Sequence, residues 1–145
     1  MKKIILSLLL LTSLQLSAQK IEAQFDHYAL LVRDLDSTAT FYQEILGLKE
    51  IEDQTQLDHI RWFSMGGQTE LHIIEQKDFK VSDVIGVHLA LRVSDLNLFM
   101  EKLSDHHIFF KNWFGLPGRT NTRPDGIRQV YLQDPNGYWI EVNGE

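Results

Sequence analysis

Two long stretches of this chain repeat the same order of apolar and polar positions. From Phe25 the sequence runs FDHYALLVRDLDSTATFYQEILGL, and from Gly86 it runs GVHLALRVSDLNLFMEKLSDHHIFF. Each opens with β-prone residues at a period of two, which predicts strands over Phe25 to Val32 and Gly86 to Val93. Each then passes an acidic turn residue, Asp34 or Asp95, into apolar positions at helical spacing. In the first copy Asp36 or Ser37 is the expected N-cap. Thr40, Phe41, Ile45 and Leu46 form the buried stripe, and Gly47 closes the helix. In the second copy the cap falls at Ser94 or Asp95 and the helix reaches about Ser104.

The remainder of each copy reads as strands. Leu48 to Glu52 is a short strand, Asp53 to Asp58 a polar loop, and His59 to Met65 a strand that turns at Gly66-Gly67 into Thr69 to Glu75. A polar linker, Gln76 to Asp83, leads to the second copy. There, His107 to Lys111 is a strand and Asn112 to Asp125 a long loop. Gly126 to Gln133 then turns through Asp134-Pro135-Asn136-Gly137 and returns as Tyr138 to Val142. Each copy is therefore β-α-β-β-β. The expectation is one α+β domain from about residue 25 to 145, made of two pseudo-symmetric βαβββ modules, about 25–76 and 86–145.

Composition narrows the context. Of 145 residues, 43% are hydrophobic and 23% charged, as in a globular protein, and the net charge of −6 with no basic stripe speaks against a nucleic-acid surface. Lys2 and Lys3 precede an apolar run, Ile4 to Leu11, and then small and polar residues to Ala18. That is the three-part pattern of a secretory signal peptide over residues 1–18. Its apolar core is shorter than the roughly 20 residues a bilayer-spanning helix needs. An exported protein, periplasmic or secreted and with no membrane anchor after cleavage, is expected. The absence of cysteine means that it folds without disulfides.

The repeat also carries chemistry. His27 and His88 occupy equivalent places, each seven residues before Asp34 or Asp95. The return strands Leu71-His72-Ile73-Ile74 and Ile140-Glu141-Val142-Asn143 match in turn, which pairs His72 with Glu141. An ionisable side chain inside an apolar strand needs a partner, because burying it alone costs several kcal/mol. Three imidazoles and a carboxylate related by a pseudo-two-fold suit a divalent first-row metal. A register shifted by two offers Glu70 in place of His72, on the same strand face. His106 and His107 are adjacent on a strand, so they point to opposite faces and do not chelate together. His59, at a loop border, is treated in the same way. Trp62, Tyr131, Trp113, Phe114, Arg119 and Arg123 are candidates to line a substrate cup.

The stretches DHYALLVRDLDSTATFYQEILGL, IRWFSMGGQTELHIIE, VHLALRVSD and QVYLQDPNGYWIEV cover nearly all of the chain beyond the leader. In them the chain resembles the vicinal oxygen chelate superfamily, which includes glyoxalase I, extradiol dioxygenases, methylmalonyl-CoA epimerase, fosfomycin-resistance thiol transferases and bleomycin-binding proteins. The resemblance implies paired βαβββ modules forming a cupped mixed sheet around a divalent metal such as zinc, nickel, iron or manganese. It implies ligands at His27, His88 and Glu141, with His72 as a fourth, a small oxygenated substrate, and pairing as a homodimer. In the glyoxalase-like branch the metal polarises a carbonyl and a ligand carboxylate, here Glu141, moves the adjacent proton. That makes a lactoylglutathione-lyase-like lyase or isomerase the leading expectation. An iron-dependent ring-cleaving dioxygenase using His27, His88 and Glu141, and a metal-free drug-binding protein, are the alternatives.

Overall fold

The computed structural model describes residues 22–145. The expected leader lies outside them, and among the described residues no helix is long and apolar enough to cross a membrane. Two modules follow in order, βαβββ in the first and the same order with one short additional strand in the second. The first has β1 (His27–Val32), α1 (Leu35–Thr40, continued by a π turn over Phe41–Ile45), β2 (Lys49–Ile51), β3 (Ile60–Gly66) and β4 (Thr69–Glu75). The second has β5 (His88–Arg92), α2 (Leu96–Asp105), β6 (Phe110–Lys111), β7 (Asn121–Thr122), β8 (Arg128–Gln133) and β9 (Trp139–Gly144). The first sheet is ordered β1-β4-β3-β2 and the second β5-β9-β8-β6, with β7 added on β8. Each is mixed: β1 runs parallel to β4 and β5 parallel to β9, and the hairpins are antiparallel. The expected α+β architecture is what the chain adopts.

Several boundaries differ from the sequence expectation for local reasons. The first helix is capped by Asp34, not by Asp36 or Ser37. Asp34 is extended at φ −139°, and its carboxylate accepts from Ser37 N at 2.7 Å. Asp95, its repeat equivalent, does the same for Leu98 N at 2.9 Å. An aspartate three residues before a free amide has the reach that a cap requires, and both acidic turn residues use it. The strand expected from His107 shrinks to Phe110–Lys111, because His107 takes a left-handed φ of 55° to leave the helix. The long loop contains the short strand β7, which pairs with β8 at Asn121↔Gln129.

Alternation sets the two faces of each sheet. Leu30, Val32, Leu71, Ile73 and Phe63 point to a shared core with Tyr42, Ile45 and Ala39 of the first helix. Val130, Leu132, Ile140 and Val142 meet Leu96, Phe99 and Leu103 of α2. The opposite faces carry the polar residues, including His27, His72, His88 and Glu141. Gly144 lets the end of β9 lie close against α2, since a Cβ there would sit 3.0 Å from Leu96 Cβ.

The modules are joined by a polar knot. The Asp134–Gly137 turn of module 2 docks on the first helix of module 1. Asn136 Oδ1 accepts from Arg33 N at 2.8 Å and its Nδ2 donates to Thr38 Oγ1 at 3.0 Å, while Tyr42 donates its hydroxyl to Asp134 Oδ2 at 3.2 Å. Asp134 and Asn136 are buried. Burial raises the Asp134 carboxyl above the ordinary aspartate value, against hydrogen bonds from the Tyr138 and Asn136 amides that lower it. A carboxyl raised on folding favours the folded state most below its unfolded pKa, and this contribution declines as pH rises through the raised value. The Tm of wild type relative to Asp134→Asn is therefore expected to fall as pH rises from the ordinary aspartate range. A flat difference across that window refutes the assignment.

Candidate metal centre

The register of the two sheets places the repeat-related residues identically. Ala29 pairs with His72 across the parallel β1–β4 ladder, as Ala90 pairs with Glu141 across β5–β9. Across the antiparallel ladders Trp62 faces His72, and Tyr131 faces Glu141. His72 and Glu141 thus stand at the same point of their modules.

On module 2, Glu141 is only 6% exposed and its carboxylate is surrounded by donors. Tyr131 donates its hydroxyl to Oε2, Asn143 Nδ2 donates to Oε1 at 2.7 Å, and Arg123 Nη1 lies 3.8 Å from Oε1. The Tyr131 hydroxyl is pushed well above the ordinary phenol value, first by burial and then by its hydrogen bond to Glu141, so it stays protonated and donates. Because that proton is committed, Gln129 Nε2 must be the donor to the Tyr131 oxygen, at 2.8 Å.

His88 completes this side. Its Nδ1 lies 2.7 Å from the Ile85 carbonyl, which only accepts, so Nδ1 carries the hydrogen. That leaves Nε2 facing Glu141 Oε2 at 3.2 Å. A neutral imidazole lone pair and a carboxylate oxygen repel at that spacing unless a proton or a cation lies between them. Two ligands each about 2.1 Å from one ion sit about 3.0–3.4 Å apart, for octahedral or tetrahedral geometry. This pair fits a divalent metal.

On module 1, His27 and His72 stack with ring centroids 4.4 Å apart and planes at 11°. Trp62 covers the other face of His72 at 4.0 Å and 6°. His27 Nδ1 is bound by Asp26 Oδ2 at 2.7 Å, and His72 Nε2 lies 2.8 Å from Glu70 Oε2. A carboxylate behind a histidine is the usual support of a metal-bound imidazole.

The four expected ligands therefore appear as two pairs, one on each sheet. Among the described residues no group of three or more His, Cys, Asp or Glu side chains closes around one point of a single chain. The two sheets share no ladder. His106 lies beyond α2 and His107 in the turn that follows, neither of them on the face of the ligand pairs; His59 sits just before β3. Of the cup candidates, Trp113 packs against Tyr131 at 5.6 Å, Phe114 is 77% exposed, and Arg123 reaches the Glu141 carboxylate. Asn143 and Gln129 were not singled out by the sequence. Their only signal is the i, i+2 spacing from Glu141 and Tyr131, which places them on the same strand faces.

The glyoxalase/bleomycin resistance protein/dioxygenase superfamily model matches residues 24–142, nearly all of the described chain. The chain belongs to this superfamily. It is 28% identical over 124 residues to the uncharacterised protein YwbC of Bacillus subtilis (strain 168), covering 81% of this chain and 94% of that protein. Its backbone is similar to a glyoxalase/dioxygenase from Nostoc punctiforme, with a TM-score of 0.69 at 21% identity over 89% of this chain and 99% of the other. It is also similar to lactoylglutathione lyase from Agrobacterium tumefaciens, with a TM-score of 0.63 at 19% identity over 86% and 96%. At these identities the structural likenesses establish the fold. Superfamily members typically use divalent metals, and the donor set above is compatible with that habit.

Proposed function

We propose that this superfamily member is a metal-dependent enzyme of the glyoxalase-like kind, a lyase or isomerase acting on a small substrate with two neighbouring oxygens. The observation that carries the reading is the approach of His88 Nε2 to Glu141 Oε2 at 3.2 Å, two lone-pair atoms that need a shared cation or proton. His27 and His72 are the remaining candidate donors, and their parallel stack at 4.4 Å would have to open for both to reach one ion. A divalent ion held by these residues (zinc, nickel, iron or manganese) would supply Lewis-acid polarisation of a substrate carbonyl.

The chain's own residues do the rest. Glu141 takes the proton from the carbon beside that carbonyl. Asn143 and Tyr131 hold the carboxylate at both oxygens, so that it does not swing away from the substrate. Tyr131 keeps its proton and donates it as a hydrogen bond. Arg123, ion-paired to Asp125 at 2.8 Å, adds positive charge next to Glu141 and favours an anionic oxygen pair.

Among the described residues no three of these side chains close around one point of a single chain, which supports a centre completed by a second copy of the chain. His27 and His72 of one protomer serve with His88 and Glu141 of the other. Complementation tests this. His27→Ala and Glu141→Ala homodimers should each lack stoichiometric metal, whereas a co-expressed mixed dimer regains one intact centre. No recovery in the mixed dimer would refute the two-chain centre. Absence of metal from wild type after reconstitution would leave a metal-free binding protein.

An iron dioxygenase is the second reading, favoured by the engagement of His72 Nε2 with Glu70. It leaves His27, His88 and Glu141 as a two-histidine, one-carboxylate set. Metal retained by His72→Ala but lost from Glu141→Ala would select it. We further propose that the working protein is exported after removal of residues 1–18, a compartment with little glutathione, so the substrate is not a glutathione adduct. N-terminal sequencing of the mature protein checks the leader.

A further inference from the structure

A cavity of about 300 Å³ lies between the modules, and none of the four expected metal ligands lines it. Module 1 contributes Leu46, Leu48 and Met65, and module 2 contributes Leu91, Val93 and Val142. Val142 is fully buried and the other five are partly buried against the core. Ala90 and Arg92 of β5, the edge strand of the second sheet, complete the lining, and Arg92 is its one charged residue.

Arg92 departs from the repeat. Four residues on from His27 stands Leu31, and four on from His88 stands Arg92. Arg92 is exposed, and among the described residues its guanidinium has no hydrogen bond or ion pair, whereas Arg33, Arg61, Arg123 and Arg128 each have one. Register sets Arg92 beside Asn143 of β9, and Arg123 Nη1 donates to Asn143 Oδ1 at 3.4 Å. Glu141, one row along in register with Ala90, already accepts from Tyr131 and Asn143. The backbone adds a donor. Val93 N donates inward to Asn143 O at 2.8 Å, so by alternation the Arg92 amide points away from β9, to the unpaired edge.

We propose that this cavity binds a small apolar carboxylate, its hydrocarbon chain among Leu46, Leu48, Met65, Leu91 and Val93 and its anionic end on Arg92. A concave apolar lining with a single polar anchor is the usual make-up of a small-molecule site. Burial of the chain supplies affinity, and the guanidinium fork, which matches a carboxylate, supplies orientation. The site requires no metal ion and stands apart from the proposed reaction. Because both modules line it, an occupant that binds only the folded chain also stabilises the fold.

Octanoate is the probe, titrated by calorimetry into the full chain with EDTA present. Octanol and acetate separate the chain from the charge. Wild type should bind octanoate more tightly than either. Arg92→Gln should weaken octanoate by about 10–100-fold and leave octanol within about twofold, with Arg92→Lys between wild type and Arg92→Gln. Octanoate should shift the methyl resonances of Leu46, Leu48, Met65 and Leu91, and should raise the Tm of wild type more than that of Arg92→Gln. Arg92 is exposed and unpartnered, so its variants keep the fold.

No binding by wild type, equal octanoate affinity in wild type and Arg92→Gln, or shifts centred instead on the exposed apolar side chains Trp113, Phe114 and Leu116 would each overturn the proposal. So would methyl shifts that follow protein concentration and ignore octanoate, the mark of a second copy seated over β5.

Discussion

Glu141→Gln should yield a folded protein that retains no stoichiometric metal after exhaustive dialysis and has no metal-dependent activity. The substitution keeps the shape of the side chain and removes its chemistry. The carboxylate now accepts from Tyr131 and Asn143 at its two oxygens and faces His88 Nε2 at 3.2 Å. A glutamine has one acceptor oxygen, and its NH2 would have to face either the Tyr131 hydroxyl, whose oxygen already accepts from Gln129, or the Asn143 NH2, which donates. The anionic ligand is lost together with its fixed orientation. Affinity should fall by more than the roughly 10–100-fold that loss of a supporting residue costs. Tyr131→Phe provides the comparison, since it keeps the ring against Trp113 and removes only the donor. Its loss should stay within that smaller range. Metal per chain, measured by elemental analysis, checks both, and equal metal in wild type and Glu141→Gln would remove Glu141 from the centre.

The second large effect lies far from the metal. Asn136→Ala should destabilise the fold by about 3 kcal/mol, because it removes the side chain that ties the module 2 turn to two groups of module 1, one of them buried. The Arg33 amide loses its acceptor, and Thr38, which is fully buried, loses the Asn136 donor. For a domain of this size that corresponds to a Tm lower by about 10 °C. Tyr42→Phe, which removes one hydrogen bond to Asp134 and leaves its amide bonds in place, should cost about 1 kcal/mol. Thermal melts of the two variants give the comparison, and a Tm for Asn136→Ala within a degree or two of wild type would contradict it.

The duplicated pattern was legible because strand period and turn spacing are local. His27 with His88, and His72 with Glu141, could be paired from sequence alone, and the registers Ala29↔His72 and Ala90↔Glu141 repeat that pairing in space. The position of the helix cap was missed by about half a turn. Asp34, Asp36 and Ser37 all carry suitable oxygens, and only backbone geometry selects Asp34. The division of the four donors into two pairs was not readable, since it depends on how whole sheets are placed. The same is true of Asn136. Its turn looked like a tight connection before the last strand, and its contact with Thr38 joins residues 98 apart. Trp62 was a candidate to line a cup. Its stacking on His72 comes from the opposed register of β3 and β4, which the sequence does not state.

The π turn at Phe41–Ile45 has a consequence for which changes the first helix accepts. A π turn is an α-helix holding one residue more than its pitch requires. The extra residue is absorbed within that one turn, so Leu35, Thr38 and Ala39 on the near side and Ile45 on the far side all stay buried in the same core. Losing one residue from the turn would restore regular winding and leave both groups inside, whereas gaining one would turn one side against the other by about 100°. The segment should therefore accept a one-residue deletion within the turn more readily than an insertion.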